Sequence, residues 1–231
     1  MPVIAFANSK GGSGKTTSAL LLAQALAAHR PTTLIDADPR HPITTWAEKP
    51  GRPDTLSVVT NDSEKTILDE IEEAAARDPF VIIDLEGTAS RLMSYAISQS
   101  DLVVIPMKEQ QQDALAALDV IQEIHRDMKA TRRKIPYSVL FTQSRAAVKS
   151  RTARHIAAQF RGNAHIDCFE TEIHERDAFA AMFSMGGTVA GMSPKYVNGL
   201  DKALENIEAF RAEVIARLRA IREAAEKGRA A

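Results

Sequence analysis

The chain is organised around Asn8-Ser9-Lys10-Gly11-Gly12-Ser13-Gly14-Lys15-Thr16-Thr17. An apolar run, Val3 to Ala7, precedes it, and an apolar-periodic segment, Ala19 to Ala28, follows it. Strand, glycine-rich loop and helix in that order form a phosphate cradle at a helix N-terminus. Small loop residues let backbone N–H groups turn inward onto phosphate oxygens. Lys15 can reach the terminal phosphates, and the Thr16 hydroxyl can ligand Mg²⁺. At the first glycine of the usual pattern stands Ser9, and beside it the loop carries an extra lysine, Lys10.

The 231 residues suit one α/β domain, read as a single domain over 1–231. A hydrophobic content of 45% with 26% charged residues is enough to bury a core and excludes a disordered chain. The formal charge of -1 supplies no global basic field, so any nucleic-acid binding must come from local patches. Cys168 is the one cysteine, which rules out an internal disulfide and a cysteine-held cluster and suits a reducing compartment. The first residues enter Val3-Ile4-Ala5-Phe6 without a basic segment or a long apolar one. No signal peptide or membrane span is expected, and the expected location is the cytoplasm, with nucleoid association if DNA is bound.

Further strands are expected at Thr32 to Ile35, Leu56 to Val59, Phe80 to Asp84, Leu102 to Pro106 and Tyr137 to Thr142, with a short one at His165 to Phe169. Proline is expected to stop the run at Pro106. Helices are expected at Lys15 to Ala28, Ser63 to Arg77 with Ser63 as N-cap, Asp113 to Met128, Arg151 to Phe160, Ala178 to Met185 and Lys195 to Ala225. A short helix is expected near Trp46, and Glu226 to Ala231 is expected to fray. This alternation predicts a P-loop NTPase-like α/β fold, a mostly parallel sheet with helices on both faces. Strand ends carrying the phosphate loop, Asp36 and Asp38, Asp84 and Pro106 then share one edge of the sheet. Asp84, after four apolar residues, is a Walker B candidate; the plainer reading is a polar strand cap. For Asp36 and Asp38 the plainer reading is turn chemistry before Pro39.

Lys10-Gly11-Gly12-Ser13-Gly14-Lys15-Thr16-Thr17, Asp36-Ala37-Asp38-Pro39 and Asp84 together resemble the deviant Walker A ATPases of the ParA/MinD superfamily. Ile173 to Met182 and Gly186-Gly187-Thr188-Val189 resemble the tail of small ParA proteins. Within that tail, His174-Glu175-Arg176-Asp177-Ala178-Phe179 is similar to the VirC ATPases of T-DNA transfer systems. The resemblance implies that Lys10 reaches across an ATP-sandwich homodimer to the partner's phosphates. It implies that Gly11 to Thr17 bind ATP and that Asp38 positions the attacking water. Asp36 and Asp84 would support Mg²⁺ beside Thr16. The loop after Pro106 and Thr142-Gln143-Ser144 would surround adenine and ribose. Hydrolysis would be slow and stimulated by a partner protein. Family members often carry a proline-containing segment after the Walker B acid, and this chain has Leu85-Glu86-Gly87-Thr88 instead. Gly87 can still approach a γ-phosphate, while Glu86 is either a solvated loop residue or a modifier of hydrolysis.

Three basic clusters are Arg126 with Lys129, Arg132, Arg133 and Lys134; Arg145 with Lys149, Arg151 and Arg154; and Lys195 with Lys202. ParA relatives bind DNA without sequence preference, which makes Lys149, Arg151, Arg154, Lys195 and Lys202 candidate contacts. The apolar stripe Leu200, Leu204, Ile207, Phe210, Val214, Leu218, Ile221 and Ala225 reads as a core-docked helix rather than a membrane anchor. The leading expectation is an ATP-driven partition or cargo-positioning ATPase. The alternatives are a metabolic enzyme phosphorylating a small molecule, a MinD-like membrane-positioning ATPase and a non-catalytic scaffold. A cluster-bearing electron donor is disfavoured by the lone Cys168, and a tyrosine autokinase by a tail with no tyrosine after Tyr196.

Overall fold

The computed structural model describes residues 1–87 and 90–230, with side chains described to residue 228. Seven parallel strands form one sheet: β1 (Val3–Phe6), β2 (Thr32–Ala37), β3 (Leu56–Thr60), β4 (Phe80–Leu85), β5 (Leu102–Met107), β6 (Tyr137–Ser144) and β7 (Ile173–His174). Their order is β3-β2-β4-β1-β5-β6-β7. The helices are α1 (Lys15–Ala27), α2 (Pro42–Ala47), α3 (Ile67–Arg77), α4 (Arg91–Gln99), α5 (Gln111–Thr131), α6 (Arg151–Arg161), α7 (Asp177–Met185) and α8 (Leu200–Ala230).

The near-continuous apolar strands are buried on both faces, as a covered parallel sheet requires. Side chains alternate between the faces. Val3 and Ala5 enter one core with α3, α4, α5 and α6, while Ile4 and Phe6 enter the other with α1, α2, α7 and α8. Helices α1 and α8 pack against each other and against the same face of the sheet, and Ala19 to Ala23 are fully buried along α1. The expected α/β architecture is therefore present, with the sheet wholly parallel.

Several boundaries differ from expectation. Pro106 does not stop its strand; β5 runs on to Met107 with Pro106 in register with Leu140. It ends the β1–β5 ladder instead. Ala7 N donates to Val104 O at 3.0 Å, and the next bond would need an N–H that proline lacks. Helix α3 starts at Ile67, because the Ser63 carbonyl takes Thr66 N and Ile67 N in a preceding turn. The strand expected at His165 to Phe169 reduces to one bridge, Val139 to Cys168. Arg217 and Arg161 take the Cys168 and Phe169 carbonyls at 2.6 and 2.9 Å, so that stretch pairs no further, and the seventh strand forms later, at Ile173–His174. Helix α4 falls where no element was expected and is capped by Ser90 Oγ, which accepts from Met93 N at 3.2 Å. Helix α8 starts five residues later than expected and stays helical to Ala230; Ala231 lies outside the described residues. Its stripe docks as expected from Leu200 to Val214, but Leu204 and Ala225 are exposed. Among the described residues no helix is long and apolar enough to cross a membrane.

Candidate active site

Strand β4 sits between β2 and β1, and that order assembles the site. Asp84 is in register with Asp36 on one side and with Phe6 on the other, one residue from the phosphate loop. The loop climbs from β1 and enters α1 at Gly14, whose φ of 92° places it in the left-handed region that glycine tolerates. A Cβ there would also lie 3.0 Å from the Thr142 side chain. Gly14 offers no side-chain cap, so the first-turn N–H groups of α1 stay open to an anion. The β6 end braces the loop from beneath: Thr142 Oγ1 donates to Ser13 O at 2.6 Å, and Gln143 Nε2 to Gly12 O at 3.3 Å.

The loop opens on a cleft of about 450 Å³ lined by Gly11, Gly12, Gly14 to Thr17, Asp38, Glu86 and Gly87. Lys15 is buried, and its ammonium donates to Lys10 O at 3.3 Å. Burial pushes the Lys15 pKa down, against the pull of Asp84, Asp38 and Glu86. Gly87 closes on the loop: a Cβ on it would stand 3.3 Å from both Gly11 N and Lys15 Nζ. Glu86 thus faces the phosphate cleft rather than open solvent, and Thr88, the next residue of that segment, lies outside the described residues.

Asp84 is fully buried, and among the described residues neither of its oxygens has a hydrogen-bond partner. Burial raises its pKa to about 7; the nearby Thr16 hydroxyl and Lys15 oppose the rise without completing a bond of normal geometry, while Asp36 and Asp38 add to it. Asp36 is split in role. Its Oδ2 accepts Thr44 N at 2.7 Å and Thr44 Oγ1 at 2.8 Å, which ties α2 to β2, and its Oδ1 is unpartnered. Asp38 Oδ1 accepts Arg40 N at 2.9 Å at the cleft edge. Among the described residues no three His, Cys, Asp or Glu side chains converge on one point. A divalent cation held here would therefore share phosphate oxygens and water with Thr16. The orphaned Asp84 and Asp36 oxygens fit the outer shell of such an ion.

Lys10 does not line this cleft. Its ammonium pairs with fully buried Asp113 in the first turn of α5, while its side chain keeps 34% of its exposure. Pro106 is buried, and its carbonyl accepts Asn8 Nδ2 at 2.6 Å. It is a backbone anchor for the loop and lines neither the cleft nor the neighbouring cavity.

The neighbouring cavity, about 440 Å³, lies against Gly14, Thr17 and Ser18 and is walled by Thr142, Gln143, Ile173, His174, Arg176 and Phe179. Thr142 and Gln143 were expected near the base; the walls from β7 and α7 were not. Their signal was in the sequence, since the His174-to-Phe179 motif had no other task. His174 Nδ1 shares a hydrogen bond with Ser144 Oγ at 2.7 Å, and burial with Arg176 holds its pKa below the usual value. Arg176 Nε is buried without a partner among the described residues.

Of the candidate DNA contacts, Arg151, Arg154 and Lys195 are exposed, and Lys202 pairs with Glu205 at 2.8 Å on the surface. Lys149 is different. Its ammonium sits between Glu109 at 2.6 Å and Glu172 at 2.5 Å and is removed from the free cations.

The family model described as VirC1 protein matches residues 1–214. The chain is 37% identical over 220 residues to Protein ParA of Rhizobium radiobacter, covering 94% of this chain and 98% of that one. It is 30% identical over 192 residues to Protein virC1 of Rhizobium rhizogenes, covering 80% and 82%. Among solved structures it resembles apo McdA of Cyanothece, with a TM-score of 0.74 at 16% identity over 91% of this chain and 99% of that one. The McdA–ATP complex gives 0.71 at 15% identity over 91% and 96%. The fold, the lysine-bearing phosphate loop and these matches agree that the chain belongs to the VirC1 family, within the ParA/MinD-type ATPases.

Proposed function

We propose that this chain is an ATP-driven partition ATPase. ATP joins two copies face to face, the dimer holds DNA without sequence preference, and slow, partner-stimulated hydrolysis resets it. The observation that carries the reading is the division between the loop's two lysines. Lys15 turns into its own cleft, whereas Lys10 turns out of it and stays partly exposed. A phosphoryl-transfer site gains from every donor aimed at the γ-phosphate oxygens. A lysine held beside the cleft but outside it suits a site completed by a second copy.

Within one protomer, the loop N–H groups and Lys15 would hold the phosphates and Thr16 the Mg²⁺. Bound Mg²⁺ would supply neutralising charge on the phosphate oxygens. Asp84 and Asp36 would accept hydrogen bonds from its water shell, and Asp38 would orient the attacking water from the cleft edge. The cavity walled by Phe179 and Ile173 has an apolar side suited to a purine base. The ATP complex of McdA supports ATP as the nucleotide, and the match to a ParA protein supports partition as the task. Arg151, Arg154, Lys195 and Lys202 are the cations left for DNA phosphates.

Sedimentation of wild type, Lys10→Ala and Lys15→Ala with and without Mg-ATP tests the reading. Wild type should dimerise only with ATP. Lys15→Ala should bind no ATP, and Lys10→Ala should bind ATP yet stay monomeric. A dimer that survives loss of Lys10, or wild type that stays monomeric with ATP, overturns it.

A further inference from the structure

Asp113 has no place in the phosphate cleft, yet it is the most completely buried acid near it apart from Asp36 and Asp84. Its Oδ2 takes the Lys10 ammonium, and among the described residues its Oδ1 has no partner. Burying a carboxylate this deeply is costly unless a cation lies beside it. The N-terminus of the 21-residue helix α5 adds to that stabilisation. The front of the loop is fastened to the same region. Lys10 N donates to Asn8 Oδ1 at 2.8 Å, Asn8 Nδ2 to Pro106 O at 2.6 Å, and Ser9 Oγ to Ala116 O at 3.3 Å. Lys15 closes the circuit through its 3.3 Å bond to the Lys10 carbonyl. The lysine that phosphates would recruit thus holds the peptide that presents Lys10 to Asp113.

We propose that Asp113 is the resting counter-ion of Lys10, a positioning residue, and that the pair is a latch withholding Lys10 from a second copy until nucleotide fills the cleft. The proposal rests on the sandwich reading above. Phosphates entering the cleft draw the Lys15 ammonium off the Lys10 carbonyl and loosen the loop front. Lys10 can then leave Asp113 for the phosphates of another copy. Leaving strands a buried carboxylate, so the apparent dimer affinity is scaled down by the unlatched fraction of each of the two protomers.

Two measurements test this. In the first, the ATP-dependent dimer dissociation constant of Asp113→Asn should fall about a hundredfold, since a latch closed about nine-tenths of the time costs about tenfold for each of the two protomers. A purely structural role for Asp113 would weaken the dimer instead, and an unchanged or weakened dimer overturns the latch. The second is a nucleotide-free melting cycle. Lys10→Met should lower the melting temperature of wild type but not of Asp113→Asn, and additive shifts overturn the pair itself. Should Asp113→Asn not fold, Lys10→Met alone decides: a drop supports the pair and an unchanged melting temperature overturns it. Wild type that fails to dimerise with ATP sinks the sandwich reading, and the nucleotide-free cycle still decides the pair.

Discussion

Asp84 carries a charge conflict set up by its own burial and its acidic neighbours. Burial pushes its carboxyl up to about 7, and Asp36 and Asp38 add to the push. A carboxyl whose folded pKa lies above its unfolded value binds its proton more tightly in the folded chain. Between its ordinary value of 3.8 and about 7 the native state therefore holds more protons than the unfolded one, and stability falls as pH rises through that window. Nucleotide-free wild type should lose a few kcal/mol relative to Asp84→Asn between about pH 5 and about pH 8, at about 1.4 kcal/mol per pKa unit. Denaturant unfolding of both proteins across that range checks it. Equal slopes would mean that the Asp84 carboxyl ionises freely. The same substitution should cost nucleotide turnover, because the amide removes the charge that suits the shell of a bound cation.

At the scale of the elements, Lys149 shows why a basic cluster in sequence is a poor guide to a basic surface. It joins three loops: Glu109 after β5, Lys149 before α6 and Glu172 before β7. Burial alone would lower its pKa, and the bonds to Glu109 and Glu172 outweigh that and raise it. Lys149→Met leaves two largely buried acids facing each other without their cation and should cost about 2 kcal/mol, less than a fully buried pair because the lysine end of the site is partly open to water. Urea denaturation reads the loss; a DNA defect without a stability defect would instead make Lys149 a contact. The strands and the phosphate loop were legible because apolar runs and glycine spacing are local signals. The pairing of Asp36 with Asp84 was not, since it depends on β4 crossing between β2 and β1. The short strand was misplaced for a similar reason: Arg217 and Arg161 reach Cys168 and Phe169 from distant helices. Helix α4 was legible in principle, since Leu92, Met93, Ala96 and Ile97 mark one helical face after the Ser90 cap.

For the whole molecule, a net charge of -1 constrains the proposed DNA binding. No overall field would draw a duplex in, so under the proposed function retention would come from local cations presented twice by a dimer. Arg151 and Arg154 lie one turn apart at the start of α6, are exposed, and have no ion-pair partner among the described residues. Helix α6 follows β6, whose end braces the phosphate loop, so these cations belong to the same end of the sheet as the nucleotide cleft. Each phosphate contact contributes roughly 0.9 to the slope of log affinity against log salt. Two arginines on each of two protomers would contribute about 3.6 to that slope. With Mg-ATP present, Arg151→Ala/Arg154→Ala should therefore bind DNA more weakly at low salt and lose about 3 to 4 from the slope, while ATP-dependent dimerisation is kept. Filter retention across a salt series, beside sedimentation of the same samples, separates the two effects. A weaker dimer with an unchanged slope would move these arginines from DNA binding to the protomer interface, and an unchanged slope with an intact dimer would leave Lys195 and Lys202 to hold the phosphates.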